Sequence, residues 1–179
     1  YPGICTRTRG LYVNLATSGR KFGYVCRTAY SAPAAAVYRS AGKAGRKFDS
    51  VFVHGDFPAV FHSKVPLIFP CKVLNGLVPA LSNRGKIAVV VPTPQHVAQS
   101  EKKWNQYVKE SIIIPASPYG SQDDLDAAAR AAAKMDVDLV VMDCIGYNIG
   151  MKEQFQKLSG KRVILSRTLA VRAMMELLS

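Results

Sequence analysis

Long apolar runs are missing from this sequence. The longest uncharged stretches, such as Ile87-Ala88-Val89-Val90-Val91, fall far short of the ~20 residues that a bilayer-spanning helix needs. No membrane partner is implied, and a soluble chain is expected. Paired cysteine motifs are missing too. Cys5, Cys26, Cys71 and Cys144 are irregularly spaced with no C-x-x-C, which argues against a zinc site and a disulfide scaffold. Reduced thiols in a cytoplasmic protein are the simplest expectation. Gly42-Lys43-Ala44-Gly45-Arg46-Lys47 lacks the Lys-Ser/Thr of a P-loop, and no G-x-G-x-x-G opens a helix after a strand. His54, His62 and His96 form no H-E-x-x-H, and there is no G-x-S-x-G elbow. Neither a metal nor a nucleotide cofactor is implied. Tyr1 rather than Met opens the sequence and no signal peptide follows, so a processed or truncated chain is expected.

Acids are scarce at the start. Residues 1–50 hold nine Lys or Arg against Asp49 alone, whereas residues 101–179 hold eleven against ten acids, so the net charge of +12 sits in the N-terminal third. Such a surface attracts polyanions. No nucleic-acid motif accompanies it, however, and a solvated face or a homo-oligomer contact accounts for it as well, so nucleic acid is not the expected partner.

With 179 residues, of which 49% are apolar, the chain can bury a sizeable core as one domain or two small lobes. Leu11 to Ala16 and Phe22 to Cys26 flank Thr17-Ser18-Gly19-Arg20 and read as a hairpin. Ser31, Pro33 and the alanine-rich stretch through Val37 to Ala44 suit a short helix. From residue 48 onward, apolar runs recur at Val51–Val53, Leu67–Phe69, Ile87–Val91, Ile112–Ile114, Leu139–Met142 and Val163–Leu165. Runs without polar alternation suit strands covered on both faces, as in a parallel sheet between helices. Leu125, Ala128, Ala129, Ala132 and Ala133 make a helical stripe, and Ala170, Ala173, Met174, Leu177 and Leu178 make another that should pack a final helix on the core. Asn83-Arg84-Gly85-Lys86 is the expected break between a lobe over residues 1–83 and one over 84–179.

Ligands in such sheets bind beyond the carboxyl ends of the strands. Asp143-Cys144-Ile145-Gly146-Tyr147 follows one strand and precedes a helix expected from about Asn148, whose N–H groups should lower the thiol's pKa. Cys144 then suits a base, acid or nucleophile. It equally suits a small buried hydrophobe, with Asp143 capping the turn. His54-Gly55-Asp56 after Val51–Val53 offers an imidazole and a carboxylate, or simply a turn. Thr93 offers a hydroxyl at a helix start or a cap. Ser166-Arg167-Thr168 adds a guanidinium that can grip a carboxylate, with Thr168 as an alternative cap for the last helix. Trp104, beside Val97, Tyr107 and Val108, reads as core.

The run Val140-Val141-Met142-Asp143-Cys144-Ile145-Gly146-Tyr147, then Met151-Lys152, then Val163 to Arg172, resembles the AroM family. Phe48-Asp49-Ser50-Val51, Gly55-Asp56-Phe57-Pro58, Val89-Val90-Val91-Pro92 and Lys103-Trp104 extend the likeness over about residues 48–179. The resemblance implies an aspartate/glutamate racemase-like α/β fold. Two similar lobes would each carry a short, mainly parallel sheet flanked by helices, with the opening strand before residue 10 missing or altered. It also implies cofactor-independent proton transfer between paired thiols and a small carboxylate. It maps one thiol onto Cys144 and the other onto Val53, which cannot carry a proton. Together with the strand-end reading, the expected site is Cys144, Asp143 and His54 for chemistry, with Gly55, Asp56, Thr93, Gly146, Tyr147, Ser166 and Arg167 for the ligand. A binding protein without chemistry is the alternative, and polyanion binding through the basic third is a further one.

Overall fold

Each of the six apolar runs after residue 48 contributes a strand in the computed structural model, which describes residues 23–28, 36–41, 49–52 and 67–176. The chain divides into two units, residues 1–71 with 174–179 and residues 72–173.

The first unit holds β1 (Gly23–Thr28), β2 (Ala36–Ala41), β3 (Asp49–Phe52) and β4 (Leu67–Ile68), in that spatial order. β1–β2 and β2–β3 are antiparallel, and only β3–β4 is parallel. The mainly parallel sheet expected in each lobe is therefore not what these strands form. The helix expected through Val37 to Ala44 gives way to β2 over Ala36–Ala41. This segment pairs on both edges, Val37 lying opposite both Arg27 and Val51. Ladder hydrogen bonds on two sides and the β-branched and aromatic Val37 and Tyr38 outweigh alanine's helix propensity. Leu11–Ala16 of the expected hairpin, the basic side chains of residues 7–47, and Val53, His54, Gly55 and Asp56 lie outside the described residues.

The second unit is built on β5 (Lys86–Val91), β6 (Glu110–Pro115), β7 (Leu139–Met142) and β8 (Val163–Leu165), all parallel in the order β6-β5-β7-β8. The helices are α1 (Pro70–Leu81), α2 (Val97–Trp104), α3 (Gln122–Ala133), α4 (Ile149–Ser159) and α5 (Ser166–Glu176). Ala88, Val90, Val140 and Met142 pack with Leu125, Ala128, Ala129 and Phe155 of α3 and α4. Ile87, Val89, Val91, Leu139 and Val141 pack with Leu74, Val78 and Trp104 of α1 and α2 on the other face, joined by Leu169 of α5. Double coverage explains why these strands are apolar at every position. Each fully buried Val, Leu or Ile contributes ~1.5–3 kcal/mol of transfer free energy.

Local chemistry sets the helix ends. Ser121 Oγ accepts the Asp124 N–H at the start of α3, and Asn148 Oδ1 accepts the Met151 N–H at the start of α4. Gly160 ends α4 with φ of 64°, a left-handed conformation that glycine adopts without Cβ strain. The final helix starts at Ser166, so Thr168 lies within its first turn rather than capping it. Its hydroxyl donates to the Leu165 carbonyl at 3.0 Å. No helix among the described residues is long and apolar enough to cross a membrane.

Candidate functional site

The chain leaves β5 through α2 toward β6 on one face, then returns through α3 on the opposite face to β7 on β5's other side. The connections that follow β5 and β7 thus leave in opposite directions, and it is at such a switch point, beyond the carboxyl ends of the strands, that open α/β sheets bind ligands. The loop after β5 brings Thr93 there, and the turn after β7 brings Asp143, Cys144, Ile145 and Gly146.

Asp143 is buried, and its backbone N–H donates to the Val90 carbonyl at 3.0 Å, pinning the turn to β5. Its carboxylate does not cap the turn. Lys103 Nζ donates to Asp143 Oδ2 at 2.6 Å and Trp104 Nε1 donates to the same oxygen at 3.0 Å. Lys103 is itself nearly buried, with 11% side-chain exposure, and its ammonium lies 4.8 Å from the centre of the Trp104 ring. Two adjacent residues at the end of α2 thus converge on one carboxylate oxygen. Trp104 fills the core as expected but also serves as a donor, and Lys103 is a site residue that sequence reasoning passed over. The Lys103-Trp104 pair was visible as a motif; its acceptor, 39 and 40 residues downstream, was not.

Cys144 is half-buried, and its sulfur accepts the Gly146 N–H at 3.4 Å. The expected lowering of its pKa is reversed. Burial pushes the thiol up, outweighing the Gly146 N–H that favours the thiolate; the Asp143 charge raises it further, and the Arg167 charge lowers it. At neutral pH Cys144 therefore carries its proton.

Gly146 lies under the loop after β6. A Cβ there would come within 2.8 Å of the Pro118 ring and 2.6 Å of the Tyr119 hydroxyl, so only glycine lets the two loops close together. Tyr147 is fully buried, and its hydroxyl donates to the Ala116 carbonyl at 2.6 Å. Burial raises its pKa, foremost, and it ties the turn to β6. On the other side, Arg167 Nε donates to the Ile145 carbonyl at 2.9 Å, while the Ser166 hydroxyl is buried without a partner. Thr93 Oγ1 lies 2.8 Å from His96 Nδ1 and makes no side-chain bond to the backbone of the short 3₁₀ turn it precedes. Thr93, Asp143, Cys144, Gly146, Tyr147, Ser166 and Arg167 are all at the carboxyl ends of their strands. No group of three or more His, Cys, Asp or Glu among the described residues is arranged to hold a metal.

The second unit also has an open groove of about 380 Å³ lined by Leu81, Asn83, Asp138, Leu139, Arg162 and Ile164. It lies at the amino ends of β7 and β8, away from Cys144. Its one carboxylate, Asp138, is already engaged by Ser82 Oγ, Arg84 N and Arg84 Nε.

The family model described as AroM protein matches residues 24–178. The chain belongs to the AroM family. Among curated proteins nothing matches it. Among solved structures, a glutamate racemase from Bacillus anthracis is similar at 15% identity and a TM-score of 0.48, over 65% of this chain and 50% of that one. A glutamate racemase from Francisella tularensis, in complex with D-glutamate, is similar at 18% identity and a TM-score of 0.46, over 65% of this chain and 48% of that one. The AroM chain spans about half the length of these structures. At this level of agreement neither likeness bears on activity.

Proposed function

We propose that this AroM protein binds a small carboxylate at the carboxyl edge of its second sheet, and that Cys144 moves a proton there in a racemase- or isomerase-type step. The observation that carries the reading is the placement of the Cys144 sulfur. It sits half-buried in the turn after β7, at the switch point between β5 and β7, with the Gly146 N–H donating to it and burial holding its proton on. A thiol that starts protonated donates to a planar, carbanion-like intermediate and then waits as thiolate to take the proton back. The base that creates the intermediate is a separate group. Arg167 uses only Nε on the Ile145 carbonyl, so its terminal nitrogens are suited to a ligand carboxylate.

The test is a panel of 2-amino and 2-hydroxy acids incubated with the protein in deuterated water, with loss of the α-proton followed by NMR. Exchange that disappears in Cys144→Ala is the expected result. Absence of exchange with every candidate removes proton transfer.

Binding without turnover is the second reading, favoured by the raised thiol. A carboxylate that binds only the folded state raises its stability by RT ln(1 + [L]/Kd), so a rise in melting temperature without exchange selects this reading.

A further inference from the structure

Two adjacent donors on α2 meet one carboxylate oxygen beside the thiol, and this arrangement has no part in the proton transfer as described so far. Lys103 and Asp143 are both nearly buried, with side-chain exposures of 11% and 9%. Neither charge is cheap to remove from water, and pairing offsets that cost only where the geometry is tight. Here it is tight: Lys103 Nζ is 2.6 Å from Asp143 Oδ2, and Trp104 Nε1 is 3.0 Å from the same atom. The ammonium thus sets a full positive charge on the carboxylate of the residue next to Cys144.

We propose that Lys103 is a positioning residue of the site, compensating the Asp143 charge so that the neighbouring Cys144 thiol and an incoming carboxylate do not face an unpaired anion. The proposal rests on Cys144 being the working thiol. The charged and titratable groups around Cys144 are Asp143 and Tyr147 on its own turn, Arg167 from α5, and Lys103 from α2 acting through Asp143. Asp143 raises the thiol and Arg167 lowers it, so the balance shifts with any change in how far Asp143 is neutralised.

The experiment is alkylation of the full chain by iodoacetamide across a pH series, with the Cys144 peptide quantified by mass spectrometry. No substrate is needed, so the outcome is independent of whether exchange is ever found. Lys103→Met leaves Asp143 uncompensated, and the pH midpoint for Cys144 is expected to rise by about a unit, or about tenfold slower alkylation at a fixed pH below it. Lys103→Arg, which keeps the charge, is expected to hold the midpoint near that of the unmodified protein. Asp143→Asn leaves Lys103 uncompensated and is expected to lower the midpoint; it provides the reading if Lys103→Met does not fold. A midpoint unmoved by Asp143→Asn, or by Lys103→Met in a folded protein, overturns the proposal and leaves Lys103 a structural ion pair. Shifts in these directions without α-proton exchange would sustain the inference about Lys103 while removing the proposed reaction.

Discussion

The two ends of β7 carry the same residue type to different effect. Asp138, just before the strand, accepts from Ser82 Oγ, Arg84 N and Arg84 Nε, and Arg84 reaches on to Asp136. These bonds, foremost the Ser82 hydroxyl, hold the Asp138 carboxyl well below the usual carboxylate range. Asp138 itself has a side-chain exposure of 11%, but Arg84 and Asp136 are largely exposed, so the charges that meet it face solvent as they close the turn into β5. Asp143, just after the strand, has a lysine and a tryptophan as partners, both drawn from α2 and both nearly or fully buried, and it adjoins a thiol. The amino end uses its aspartate to fasten a connection, whereas the carboxyl end holds a paired charge in the interior beside a thiol. Surface ion pairs contribute little, while breaking a buried one costs several kcal/mol.

Substitutions at Trp104 should widen the contrast most. Trp104→Ala empties a fully buried site and is expected to cost ~3–5 kcal/mol in urea unfolding. Trp104→Phe keeps most of the bulk but removes the Nε1–H to Asp143, for an expected loss of ~1–3 kcal/mol. A Trp104→Phe protein as stable as the original would mean that the carboxyl end is no more demanding than the amino end.

Gly146→Ala comes next. The methyl group must displace Pro118 and Tyr119, an overpacking cost of ~1–3 kcal/mol. Because Tyr119 is 80% exposed, Tyr119→Ala alone should change little, yet it should recover part of the loss when combined with Gly146→Ala. Additive effects in that double-mutant cycle would break the inferred closure of the two loops.

The smallest effect is expected at Asp138, and it depends on pH. A carboxyl depressed in the folded state stabilises fully above its unfolded pKa, and that contribution is lost as pH falls below about 4 toward the folded value. The melting-temperature gap between the unmodified protein and Asp138→Asn should therefore be present at neutral pH and narrow on acidification. A gap that widens in acid would contradict the bonding described for this end.

Sequence pattern read the second unit well because its information is local. Ile87–Val91 and Leu139–Met142 are apolar without alternation since both faces are covered, and the helix expected from about Asn148 starts there with Asn148 as its cap. What depends on distant partners was not legible. Alanine-rich Ala36–Ala41 became a central strand because β1 and β3 pair with its edges. The direction of the Cys144 shift followed from burial, which no short motif reports, rather than from the helix start beside it. Lys103 appeared only as one of two residues in a dipeptide, since its acceptor is brought close by the return of the chain through β7. Tyr147, expected at the ligand, spends its hydroxyl on Ala116 in the core.

The most direct test of the carboxyl edge as the binding edge is amide NMR mapping of the protein titrated with the small-carboxylate panel. Binding there predicts shifts concentrated at Thr93, Cys144 to Tyr147, and Ser166 to Arg167. Shifts concentrated instead at Asn83, Asp138 and Arg162, which line the groove at the opposite ends of the strands, would contradict it.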